Sequence, residues 1–328
     1  MADDHRTPPG SLASLAAALG EALDRAGCSH ALAPAGVAGS LWEEIVRVRE
    51  QGLLADRLFA SYQDYWRFEP PDGVAGPRTL IVVAWPSLPL MVRFRLDQGP
   101  LEAVVPPTYI ASAERARCLE VVRAVLEPAG HGVGWARVPV KLLTTRAGLG
   151  EYGRNNIAYL PGMGSYARLG ALCTDADLGA FEWARPEGAG LAFMKECTYC
   201  HACQRACPTG CIPEDGTVID AARCLTEANE NEGDWPLWLS VRSHNSLVGC
   251  MRCQEACPVN RMHLGKQAGL VAEFDREETD VILQDRPVED LPVELRAKLA
   301  AIDLVDYSTV LGRNLRALRD AAAAGGNG

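Results

Sequence analysis

The chain has 328 residues, 48% of them hydrophobic, and a formal net charge of −10. That length holds two domains or one domain with a large insertion, and the hydrophobic share is enough for a sizeable core. The acidic balance opposes unassisted docking on a phosphate backbone, which relies on Lys and Arg displacing counterions, and no apolar run reaches membrane-spanning length.

Residues 1–10 are polar and Pro-rich and read as disordered. Leu12, Leu15, Ala16, Leu19 and Leu23 then recur with helical period between Ser11 as cap and Gly27 as stop. A second helical region covers 40–68, broken near Gln51-Gly52, and its aromatic set Trp42, Phe59, Tyr62, Tyr65 and Trp66 reads as core packing. The β-branched run 79–85 reads as a strand buried on both faces. Residues 92–96 and 101–105 flank Asp97-Gln-Gly-Pro100 as a hairpin. A helix over 112–127, a strand over 133–138, a helix over 140–146 and strands over 156–160 and 166–173 complete an α/β region. Arg115, Arg117 and Arg123 read as a solvated helix face, and Cys118 and Cys173 as small buried hydrophobes. Near the end, 276–283, 291–302 and 304–323 have amphipathic helical patterns, and 325–328 a loose tail.

The cysteines carry the most specific signal. Cys197-Thr-Tyr-Cys200-His-Ala-Cys203-Gln-Arg-Ala-Cys207-Pro208 is the bacterial-ferredoxin pattern C-x2-C-x2-C-x3-C-P, which aims three thiolates at one iron-sulfur cube and the fourth at a second. A second run reads Cys250-Met-Arg-Cys253-Gln-Glu-Ala-Cys257-Pro258. Two four-iron clusters need eight thiolates and the runs supply seven, because Leu247 stands where the second run's first cysteine would be. Cys211 and Cys224 are the candidates for the eighth. Cys224 is preferred because Cys211 lies in the turn leaving Cys207, whereas Cys224 opens a helix-like stretch and is free to approach from another side. The expected sets are Cys197, Cys200, Cys203 and Cys257 for one cluster, and Cys207, Cys224, Cys250 and Cys253 for the other. Structural zinc also uses C-x2-C pairs, but the triplet spacing and the two Cys-Pro endings argue against it. Cysteines at ferredoxin spacing behind an N-terminus with no basic and apolar leader predict a reducing, cytoplasmic setting.

Ala147-Gly148-Leu-Gly150-Glu-Tyr152-Gly153-Arg154-Asn155-Asn156 contains a literal G-x-G-x-x-G. It follows a helix-like stretch and reaches Pro161-Gly162 too soon for a phosphate-binding helix, so the dinucleotide reading fails. The glycines allow either close approach of backbone to a large flat ligand or a set of tight loops, and both readings stand on physics alone.

These segments, with Tyr166-Ala-Arg-Leu-Gly-Ala-Leu-Cys-Thr-Asp175 and Arg223-Cys224-Leu225, resemble the cobalamin-dependent iron-sulfur reductases, a superfamily that includes epoxyqueuosine reductase and the reductive dehalogenases. The resemblance covers roughly residues 75–265. It implies an α+β protein: an N-terminal helical region (1–74), an α/β, nitroreductase-like corrinoid-binding domain (75–190), a ferredoxin-like double [4Fe-4S] domain (191–265) and C-terminal helices packing back on the core (266–328). It further implies a base-off cobalamin on glycine-rich loops, with Gly148, Gly150, Gly153, Asn155, Asn156, Gly164 and Ser165 as its contacts and a ferredoxin or flavodoxin as electron donor. Such chemistry needs a proton donor. Tyr152 beside Arg154 is the first choice, because a nearby cation lowers a phenol's pKa, ahead of Tyr109, Lys141 and Tyr166. His201, between cluster ligands, reads as tuning or shielding a cluster or as idle, and His244 as structural. The departures count too. Where epoxyqueuosine reductases carry an aspartate, this chain reads Gly134-Trp-Ala-Arg137-Val-Pro139, with no acid. The family's C-terminal helical-repeat extension has no counterpart, so with the acidic charge a small-molecule substrate is expected over tRNA. The alternative to a reductase is an electron-transfer protein that reduces a partner's corrinoid without a substrate of its own.

Overall fold

The computed structural model describes residues 9–109, 112–179, 193–214, 218–263, 266 and 269–325. Helix α1 (Pro9–Arg25) ends at Gly27, whose φ of +73° turns the chain into strand β1 (Ser29–Pro34). Helices α2 (Val37–Glu50) and α3 (Asp56–Trp66) follow, separated by Gly52 as expected. Strand β2 (Thr79–Pro86) has seven consecutive buried residues. Full burial of each Val, Ile or Leu there contributes about 1.5–3 kcal/mol. It is central in an antiparallel sheet of order β1-β2-β8-β5, where β5 is Val133–Trp135 and β8 is Ala167–Thr174. Helix α4 (Ser112–Leu126) packs with α1 on one face of this sheet, and α5 (Val140–Arg146) with α2 on the other.

The hairpin of β3 (Leu90–Leu96) and β4 (Gly99–Val105) leaves this sheet. It pairs instead with β9 (Leu270–Phe274), parallel to β3, and is covered by α9 (Arg276–Ile282), α10 (Val293–Ala300) and α11 (Ser308–Gly325). The two sheets therefore draw strands from the first and last stretches of the chain. The remaining elements are the two-stranded pair β6 (Glu151–Tyr152) and β7 (Ala158–Tyr159), the helices α6 (Ala202–Ala206) and α8 (Arg252–Glu255), which carry Cys203 and Cys253, and α7 (Leu225–Glu230), which Cys224 precedes. Leu247, in the missing cysteine's place, is fully buried and donates its N–H to the Val104 carbonyl, tying the cysteine segment to the hairpin. Of the disordered ends expected, residues 1–8 and 326–328 lie outside the described residues.

Candidate iron-sulfur and substrate site

Cys197 closes a short turn, Cys200 follows it, Cys203 lies on α6, and Cys257 comes from the end of the second run. All four line one cavity of about 310 Å³. Burial pushes the Cys203 thiol up to about 11 and raises Cys197. Thiols so placed keep their protons until a metal core replaces them, which is the donor chemistry an iron-sulfur cube uses.

Cys207, Cys250 and Cys253 line a second, smaller cavity together with Cys211. Cys211 Sγ is 3.5 Å from Cys207 Sγ, and its hydrogen bond pulls Cys207 down to about 4. Cys211 also bonds Cys224, bringing that thiol down to about 7, while burial pushes Cys250 up to about 11. The second centre thus gathers five thiols for four positions.

The glycine segment packs against these centres. Arg154 donates its backbone N–H to Cys197 Sγ at 3.4 Å and its guanidinium to the Cys197 carbonyl at 2.8 Å. It is turned away from Tyr152, so the expected phenol–guanidinium pair does not form. Burial pushes the Tyr152 phenol up, Glu44 adds to this, and Arg146 is the cation that opposes it. Asn155, expected on the corrinoid's amide arms, lines both thiol cavities instead, donating to the Tyr159 hydroxyl at 3.0 Å and hydrogen-bonding Cys253. A Cβ on Gly150 would lie 2.6 Å from the Tyr159 carbonyl oxygen, and one on Gly153 2.5 Å from the Tyr159 ring. Those two glycines are required by close packing on Tyr159. Gly148, at φ +72°, faces open space, and Gly164, at φ +59°, would drive a side chain into Asn260. Next to it, Ser165 donates from N to Asn260 Oδ1 (2.9 Å) and from Oγ to Gln254 Oε1 (2.9 Å), joining the glycine loop to α8.

Two larger cavities adjoin, sharing Tyr65, Val138, Val140 and Lys141. The larger, about 630 Å³, is lined by Tyr62 and Trp66 of α3, by Tyr152 and by Asn156. The aromatic set assigned to core packing is therefore divided: Phe59 is buried, whereas Tyr62, Tyr65 and Trp66 face this cavity. Asn156 accepts from the Ile219 N–H at 2.7 Å, and its buried amide nitrogen has no partner among the described residues. The second cavity, about 420 Å³, is floored by β8 and walled by Trp135, Tyr109, Tyr307 and two residues of α7, Thr226 and Glu230. Cys224 immediately precedes α7, so the second thiol centre abuts this cavity. Arg115 leaves the solvated face expected of it and stacks on Trp135 at 4.1 Å, half-buried and lining the cavity with Arg168. Arg117 and Arg123 keep that face, paired with Glu114 and Glu127. Glu230, Tyr307 and Arg168 escaped the sequence reading. The one signal for Glu230 is its place on a helix that starts at a candidate ligand.

Residues 196–260 match the family described as 4Fe-4S double cluster binding domain. An epoxyqueuosine reductase of Synechococcus sp. (strain RCC307) is 35% identical over 128 residues, 39% of this chain and 36% of that protein. The chain spans well under half the length of the curated relatives it matches. In fold it is similar to epoxyqueuosine reductase from Bacillus subtilis (TM-score 0.64, 19% identity, 96% of this chain and 84% of that one). It is also similar to an epoxyqueuosine reductase solved with a tRNA-Tyr epoxyqueuosine-modified stem loop (TM-score 0.62, 18% identity, 95% and 84%). The expectation of a small molecule over tRNA is overturned by these relatives and by that tRNA complex. Net charge averages the surface, whereas this cavity wall carries Arg115 and Arg168. Among the described residues no helix is long and apolar enough to cross a membrane. The superfamily resemblance is borne out: this chain carries a 4Fe-4S double cluster binding domain within the fold of the epoxyqueuosine reductases.

Proposed function

We propose that the chain is a cobalamin-dependent iron-sulfur reductase acting on a modified nucleoside in tRNA, with epoxyqueuosine as the substrate class and ferredoxin or flavodoxin as electron donor. The observation that carries this is the adjacency of two thiol-lined centres to a pair of joined cavities. Electrons entering at the first centre have a short route past Asn155 to the second, and from there to the cavity behind Cys224. In this reading Cys197, Cys200, Cys203 and Cys257 hold one cluster, and Cys207, Cys224, Cys250 and Cys253 the other.

A corrinoid fits the residues present. The larger of the joined cavities offers a broad apolar bed, the unpartnered Asn156 amide nitrogen would donate to the corrinoid's amide arms, and Lys141 lies where the cavities meet. When bound, the corrinoid supplies the low-potential two-electron chemistry. The chain's own residues position the nucleoside, with Arg115 and Arg168 drawing its phosphates to a mouth where the exposed Tyr65 offers a ring for stacking.

Anaerobic reconstitution with iron, sulfide and cobalamin, followed by incubation with reduced flavodoxin and an epoxyqueuosine-bearing stem loop, tests this reading. About eight iron per chain, retained cobalt and loss of the epoxide in the digested nucleosides are expected. The same iron with no cobalt retained would overturn it in favour of electron transfer to a partner.

A further inference from the structure

Glu230 is the one carboxylate lining the cavity of about 420 Å³ among the described residues, and the Tyr109 hydroxyl donates to it. Both side chains are held in place. The Tyr109 ring meets Tyr307 edge-on at 5.5 Å, and the phenol fits beside Gly249 only because that residue has no Cβ. Glu230 ends α7, which Asn229 ties to the Gly249 carbonyl at 2.7 Å. Facing Glu230 are Tyr109, Lys141 of α5, Tyr307, Tyr62 of α3 and, on its own helix, Glu227, with Cys224 beyond Tyr109.

The groups around Glu230 shift its carboxyl upward on balance. Burial raises the carboxyl and Glu227 adds to that, whereas the Tyr109 hydrogen bond and Lys141 oppose it. Lys141 presents surface to the cavities yet is enclosed by protein at longer range, and that desolvation pushes its ammonium down, weakening its opposition. Burial, then Glu230, pushes the Tyr109 phenol well up, so it stays protonated and available as a donor.

We propose that Tyr109 and Glu230 form the proton relay of this cavity. The inference rests on the proposed reductase function. Reducing an epoxide takes two electrons, here from the iron-sulfur chain, and two protons. One carbon–oxygen bond breaks with its electron pair on oxygen, which takes the Tyr109 proton while the two supplied electrons fill the carbon. That pair forms the double bond as the second carbon–oxygen bond breaks and the oxygen leaves as water with the second proton. The Glu230 proton refills the phenolate. Lys141 then faces an ionised carboxylate, which regains its proton from water, and water supplies the second proton of the reaction. The pair thereby takes the place of the aspartate that the segment 134–139 lacks.

The test has two arms on reconstituted protein, comparing wild type with Glu230→Gln, Glu230→Asp and Tyr109→Phe. Infrared difference spectra across a pH titration, without substrate, should show a protonated-carboxyl band persisting above the ordinary carboxylate range and missing from Glu230→Gln. In single turnover of an epoxyqueuosine stem loop, the wild-type rate should fall as pH rises through that titration. Glu230→Gln and Tyr109→Phe should each be slower by about a hundredfold or more with a flattened profile, and Glu230→Asp should restore the pH dependence. Identical infrared titrations of wild type and Glu230→Gln overturn the relay, as does an unchanged rate and profile in either variant. The carboxyl band in a protein inactive on the stem loop overturns the proposed function alone.

Discussion

Cys211 Sγ lies 3.5 Å from Cys207 Sγ and hydrogen-bonds Cys224 as well, so one thiol touches two proposed ligands of the second cluster. If Cys224 is the ligand, Cys211→Ala should retain about eight iron per chain and Cys224→Ser about four. Iron and sulfide analysis with EPR of the reduced protein checks this, and the opposite pattern would put Cys211 in the cluster.

Gly249 has a φ of +62°, and a Cβ there would sit 2.7 Å from a Tyr109 ring carbon. Gly249→Ala should cost about 1–3 kcal/mol from backbone strain and push Tyr109 off Glu230. Urea unfolding reads the first effect. The second appears as an altered carboxyl band in the infrared titration.

Asn260 is fully buried, accepts from the Ser165 N–H, and donates to Ser165 Oγ at 2.7 Å and to the Gln254 carbonyl at 2.8 Å. Asn260→Ala strands these partners, each unsatisfied group costing about 1–3 kcal/mol. The expected result is a lower unfolding midpoint and faster amide exchange at Ser165, measured by mass spectrometry.

Burial, with the nearby Arg313 second, lowers His244 to about 4. Its unfolded value is near 6.5, so between those limits the unfolded chain binds the extra proton and stability falls as pH falls. The loss approaches about 3 kcal/mol by pH 4. His244→Gln should flatten the stability curve between pH 6.5 and 4 in denaturant titrations, and an unchanged slope would count against the assignment.

The legible parts of this molecule were those written locally. Cysteine spacing marked the thiol centres, the β-branched run marked β2, and Asp97-Gln-Gly-Pro100 marked the hairpin turn, of which Gly99 and Pro100 already belong to β4. The strands β1 and β9 escaped notice for different reasons. Ser29–Pro34 alternates small residues of intermediate exposure, while Leu270–Phe274 is defined by parallel pairing to β3, far back in the chain. Tyr109 and Glu230 meet across 121 residues, and neither has a neighbour in sequence that announces the other. Arg154 and Tyr152 show the converse: closeness in sequence did not make a pair, because Tyr152 turns into the apolar cavity and Arg154 toward the Cys197 carbonyl.

The sharing of the first thiol cavity between Cys257 and the earlier run bears on how the protein matures. A scaffold that delivers iron and sulfide would meet an incomplete site until the later run has folded back past α7, so filling the first centre would report that the second run is already in place. Damage would travel the same way. Oxidative loss of iron from either centre would release a segment that the other depends on, and the two centres would survive or fail together.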